Sequence, residues 1–141
     1  MKKTFTKNEI PVIAKEILST LGLGDTATVV ALSGDLGAGK TTLTQEIARE
    51  LGVKENIISP TFVIMKQYEI KNGKHKQLIH IDAYRLNSHK ELVTLGWEEL
   101  ISNPKNLILI EWPEKVEEII PKHTKKIKLS HRSEYEREIE F

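Results

Sequence analysis

Residues Gly34-Asp35-Leu36-Gly37-Ala38-Gly39-Lys40-Thr41 match the pattern G-x-x-x-x-G-K-[ST], and that pattern leaves a chain few folds to choose from. Before it runs Ala27-Thr28-Val29-Val30-Ala31-Leu32, short, apolar and β-branched, which reads as a buried strand. After it, Leu43, Ile47, Ala48 and Leu51 share one face of a helix that begins at Lys40 and that Gly52 closes. Given the Gly, Lys and Ser/Thr content of the chain, a chance match has a probability of about 0.7% even before the flanking elements are required. An incidental glycine-rich turn is the weaker explanation.

The chemistry of such a loop follows from phosphate charge. Glycines let backbone N–H groups approach phosphate oxygens, and the helix N-terminus adds a favourable dipole. In this pattern Asp35, Leu36, Gly37, Ala38 and Gly39 form the cradle. Lys40 reaches the β and γ phosphates, and the Thr41 hydroxyl enters a magnesium shell. Thr42, one position later, falls near the α phosphate. Phosphate chemistry also needs a carboxylate at the end of a neighbouring strand. Asp82 follows Leu78-Ile79-His80-Ile81 and Glu111 follows Leu107-Ile108-Leu109-Ile110, so each acid ends a run that should be buried, where a charge is costly without a partner. The plain alternative for Asp82 is a turn or cap residue paired with Arg85. The five histidines form no metal-ligand cluster, and none is assigned a role.

The rest of the chain fills in a mixed α/β sheet. Asn72-Gly73 between Phe62–Ile70 and Lys76–Ile81 is a strong hairpin signal. Ile10, Ile13, Ala14, Ile17, Leu18 and Leu21 recur at helical spacing over Asn8–Leu21, with Gly22 as the stop. Asn8 is the preferred N-cap, since it leaves Pro11 in the first turn; a Thr6/Glu9 capping box would push Pro11 deeper. Ser88 and Glu91 form a second capping-box match opening a short helix, and Pro113 starts a polar helical stretch through Ile120. Lys126–Leu129 and Glu136–Phe141 alternate with the period of half-exposed strands. The run Lys122–Lys128 is most simply a solvated face, and Ser59-Pro60-Thr61-Phe62, taken alone, a proline turn.

Composition narrows the function. The 141 residues suit one domain over 1–141. Lys and Arg number 21 against 20 acids, a net charge of +1, which disfavours a field-driven nucleic-acid binder. Without cysteine there is no disulfide, thiolate metal site or cysteine nucleophile, which suits a cytoplasmic protein. The basic start lacks an apolar stretch, and no run approaches a membrane-spanning length; neither membrane nor DNA is an expected partner.

Four motifs in series, Gly34–Thr42, Ser59-Pro60-Thr61-Phe62, His80-Ile81-Asp82-Ala83-Tyr84-Arg85-Leu86 and Glu111-Trp112-Pro113-Glu114, make the chain resemble the bacterial TsaE family over most of its length. The resemblance implies an α/β P-loop NTPase-like mixed sheet with flanking helices and antiparallel additions. It implies a small magnesium-dependent ATPase, slow alone, that works with TsaB and TsaD to place threonylcarbamoyl on adenosine 37 of tRNA, the tRNA being met through the complex. It implies that Lys40 and the loop amides hold ATP, that Thr41 and Glu111 surround magnesium, that Asp82 assists hydrolysis, and that Thr61 belongs to a switch-like segment. The division of metal binding and water activation between Asp82 and Glu111 stays open. In the family the N-terminal segment helps to shape the base pocket.

Two rival classes are a small-molecule phosphotransferase and a GTP-dependent switch. An Asn-Lys-x-Asp base-reading motif is absent, which weighs against the switch. Four arginines and no obvious lid insertion weigh against the kinase.

Overall fold

The structure is a computed structural model that describes residues 1–55 and 64–141. Among the described residues seven strands form one sheet: β1 (Lys2–Thr6), β2 (Thr28–Ser33), β3 (Met65–Glu69), β4 (Gln77–Asp82), β5 (Asn106–Glu111), β6 (Lys125–His131) and β7 (Glu136–Glu140). Their order is β1-β7-β6-β2-β5-β4-β3. The centre, β6-β2-β5-β4, is parallel, and both flanks are antiparallel, with β3 on β4 at one side and β7 then β1 beyond β6 at the other. This is the expected mixed sheet, with the Asn72-Gly73 hairpin joining β3 to β4.

Alternation along the central strands divides the core between two faces. Val30, Leu32, Leu78, Leu107 and Leu109 pack beneath α1 (Ile10–Ser19) and α2 (Lys40–Glu50). Val29, Ala31, Ile79, Ile81, Ile108 and Ile110 face α3 (Lys90–Thr94), α4 (Trp97–Ser102) and a 3-10 segment over Pro113–Ile119. β5 is buried along its whole length, as its uninterrupted apolar run requires between two covered faces. Among the described residues no helix is long and apolar enough to cross a membrane.

Several local expectations are corrected. Asn8 is not the N-cap. Thr6 caps a 3-10 turn over Lys7–Glu9, where the Glu9 carboxylate accepts the Thr6 backbone N–H at 3.0 Å. That extra turn absorbs the offset, so α1 starts at Ile10 with Pro11 in its opening turn, where the missing N–H costs nothing. The helix ends at Ser19, ahead of Gly22. β1 was not foreseen, because only Phe5 of its residues is buried and its pairing partner β7 lies at the other end of the chain. α4 was also unforeseen: its six residues are too few to show a period. The stretch after Pro113 winds as 3-10 rather than α-helix, with Val116 at a non-helical φ of −136°. The Ser88 box forms only in half: Glu91 accepts the backbone N–H groups of Asn87 at 2.7 Å and Ser88 at 3.3 Å, but the Ser88 hydroxyl accepts the Lys90 N–H at 3.1 Å instead of that of Glu91, and His89 is the residue before α3.

Candidate active site

The glycine loop leaves the carboxyl end of β2 and turns back into α2. Gly34 has φ +145°, and a Cβ there would lie 2.4 Å from the Leu129 carbonyl oxygen, so the loop's first position has no room for a side chain. Gly37 and Gly39 also hold positive φ, 81° and 103°, and Gly39 is the residue from which α2 starts. The Ala38 N–H closes a turn onto the Asp35 carbonyl at 3.1 Å. Asp35, Leu36 and Gly37 are exposed at the tip while Ala38 is buried against the core. The first amides of α2 lack intrahelical acceptors, so a concave run of backbone donors opens at the end of the sheet.

Lys40, the first residue of α2, is 5% exposed. Its ammonium donates to the carbonyls of Gly34 and, at 3.0 Å, Asp35, and lies 4.3 Å from the centre of the Trp112 ring. Burial lowers its pKa, and the negative field of Glu111, Glu114, Asp35 and Asp82 opposes that shift. Trp112 itself has φ 58°, the one positive φ outside glycine among the described residues. That left-handed turn follows directly on β5, and the ring packs against Tyr84, with centroids 5.0 Å apart.

Asp82 and Glu111 end adjacent parallel strands and face each other in register, with Leu32 of β2 as the next neighbour of Glu111. Backbone bonds from Ala83 N–H to Glu111 C=O at 3.0 Å and from Trp112 N–H to Leu32 C=O at 3.3 Å carry the ladder past the last paired residues. Asp82 is half-buried and accepts the Tyr84 backbone N–H at 3.0 Å, a local turn bond. Glu111 is 3% exposed. Its compensating partner is His80, whose Nε2 lies 2.6 Å from Glu111 Oε2.

Lys40, Thr41, Thr42, Asp82, Glu111 and Trp112 all line one cavity of about 430 Å³. Beside it a second cavity of about 550 Å³ shares Gly39, Thr42 and Arg137 and is walled by Phe5, Thr6, Lys7 and Asn8. Thr61, with the Ser59–Phe62 motif, lies outside the described residues. The partnership of His80 with Glu111 escaped sequence reasoning; the available signal was a histidine two positions before Asp82, on the same strand face. The donor set fits a nucleotide with magnesium. Backbone amides and one ammonium suit phosphates, a hydroxyl and two carboxylates suit a hard cation that keeps most of its waters, and no denser cluster of ligating residues occurs among the described residues.

A mixed sheet with a parallel centre, its glycine loop, helix start and two carboxylates at the carboxyl ends of the central strands define a P-loop NTPase-like fold. The family model described as threonylcarbamoyl adenosine biosynthesis protein TsaE matches residues 4–139, and the chain belongs to the TsaE family. It is 37% identical over 139 residues to the tRNA threonylcarbamoyladenosine biosynthesis protein TsaE of Bacillus subtilis, covering 99% of this chain and 82% of that one. To the protein of the same name from Rickettsia felis it is 40% identical over 115 residues, covering 81% of this chain and 63% of the relative. The crystal structure of Bacillus subtilis YdiB superposes with a TM-score of 0.75 at 31% identity, covering 99% of this chain and 82% of that chain.

Proposed function

We propose that this protein binds ATP with magnesium, hydrolyses its β-γ phosphoanhydride, and serves with TsaB and TsaD in threonylcarbamoylation of adenosine 37 in tRNA, in the cytoplasm. The observation that carries the reading is the convergence of Lys40, the start of α2, Asp82 and Glu111 on one cavity beyond the carboxyl ends of β2, β4 and β5. Family membership supplies the pathway.

In this reading the loop from Asp35 to Gly39 and the amides opening α2 bind the phosphates, and Lys40 supplies the cation facing the β and γ groups. Thr41 and Glu111 would hold Mg²⁺, which when bound neutralises charge developing on the phosphates. Asp82, in register with Glu111, orients the attacking water. The cavity beside the loop, walled by Phe5, Thr6, Lys7 and Asn8, takes the base. Thr61 belongs to the segment that senses the γ phosphate.

The test is steady-state hydrolysis of Mg-ATP by the purified protein, alone and with TsaB and TsaD, with Mg-GTP in parallel. Slow turnover that the partners stimulate is the expected result. Turnover indifferent to the partners would leave the P-loop reading standing and remove the assigned partners, while a preference for GTP would favour a guanine switch.

A further inference from the structure

Glu111 is nearly buried at the end of an apolar strand, and a carboxylate in that position must be held by a donor. The donor is His80, itself fully buried, across 2.6 Å from Nε2 to Oε2. Since an ionised carboxylate oxygen only accepts, the hydrogen belongs on Nε2. The other ring nitrogen, Nδ1, is buried with no hydrogen-bond partner among the described residues. Among the described residues the histidine therefore has a single polar engagement, and it is with Glu111.

The backbone explains why this contact is directional. His80 and Asp82 lie on the same face of β4, and Asp82 is the register partner of Glu111 on β5. His80 thus stands one layer below the two acids, on the core side, and reaches up to a single oxygen of Glu111. His80 engages Oε2 and not Oε1, and Glu111 lines the cavity.

We infer that His80 is a positioning residue that holds the Glu111 carboxylate in one orientation, with Oε1 presented to the nucleotide cavity. The inference rests on the reading of Glu111 as a working residue of an ATPase site. A buried pair kept only for packing would affect stability alone; a positioning residue affects what the folded protein does at a given nucleotide occupancy.

Two His80 variants and one spectroscopic measurement, made also on Glu111→Leu, separate these. In His80→Leu the folded fraction should turn over Mg-ATP at least tenfold more slowly, while affinity for a non-hydrolysable ATP analogue changes less than threefold. His80→Gln, whose amide N–H reaches about as far as Nε2, should recover most of the lost turnover. Wild-type turnover in His80→Leu, or no recovery in a folded His80→Gln, would overturn the inference. In ¹⁵N-histidine-labelled protein, NMR should show the hydrogen of His80 on Nε2, and the Nε2–H resonance should move in Glu111→Leu; a bare Nε2 would also overturn it. The NMR result needs no hydrolysis. If the wild-type protein does not split ATP, the ATPase reading falls by itself and the tautomer still decides whether His80 holds Glu111. Should His80→Leu fail to fold, the Gln variant and the NMR measurement still decide.

Discussion

A Cβ on Gly34 would sit 2.4 Å from the carbonyl oxygen of Leu129, so the first residue of the glycine loop is pressed against the backbone of β6. The contact ties the loop to the sheet, and the obstruction is main chain rather than a side chain that could rotate away. Gly34→Ala adds this clash to the strain of a φ of +145° and should destabilise the fold by about 2–4 kcal/mol. Denaturant unfolding of the variant beside the wild type measures it; a midpoint equal to wild type would mean that the loop can lift from β6 at little cost.

Among the described residues Lys40 carries the only ammonium lining the cavity between the loop and the two acids. Lys40→Ala should weaken Mg-ATP binding about ten- to a hundredfold, the worth of a hydrogen bond to a charged partner. Equilibrium dialysis with labelled nucleotide checks this, and unchanged affinity would remove Lys40 from the phosphate site.

For Glu111, replacement by Gln keeps an acceptor for His80 Nε2 while removing the charge. Turnover should fall about a hundredfold or more, with nucleotide affinity within about threefold, if the carboxylate acts in the transition state. Equal losses in the two measurements would assign it a ground-state role at the metal instead.

At the opposite end of β2, His75 Nε2 lies 2.8 Å from Thr28 Oγ1, whose own hydrogen goes to the Gly22 carbonyl at 2.9 Å. Burial, with a smaller contribution from Lys74, lowers the His75 pKa, so the folded chain resists a proton that the unfolded chain accepts. Its contribution to stability is complete above the ordinary histidine range and is lost as pH falls through that range towards the lowered folded value. Thermal unfolding between about pH 7.5 and pH 5 should show stability falling with pH, less steeply in His75→Gln. Parallel pH dependences would place the effect elsewhere.

What could be read from the residues in order was whatever neighbouring residues decide among themselves. The strand into the glycine loop, the start of α2 at Lys40, the Asn72-Gly73 hairpin and the apolar run of β5 each arise from a period, a turn geometry or an uninterrupted apolar stretch within a few positions. The same logic placed Asp82 and Glu111 at strand ends and required that a buried acid find a partner. It misjudged the first turn, where a Thr6 box and a 3-10 turn displaced Asn8, because two caps of similar strength stand two residues apart and spacing alone does not choose between them.

Tertiary structure decided which distant residues meet. β1 pairs with β7 from the other end of the chain, and a five-residue strand with one buried side chain carries no local sign of it. That Asp82 opposes Glu111, and that His80 is the partner Glu111 needed, follows from the register of two parallel strands separated by α3 and α4. Register is set by the sum of side-chain packing on both faces of the sheet, a quantity no short window of sequence contains.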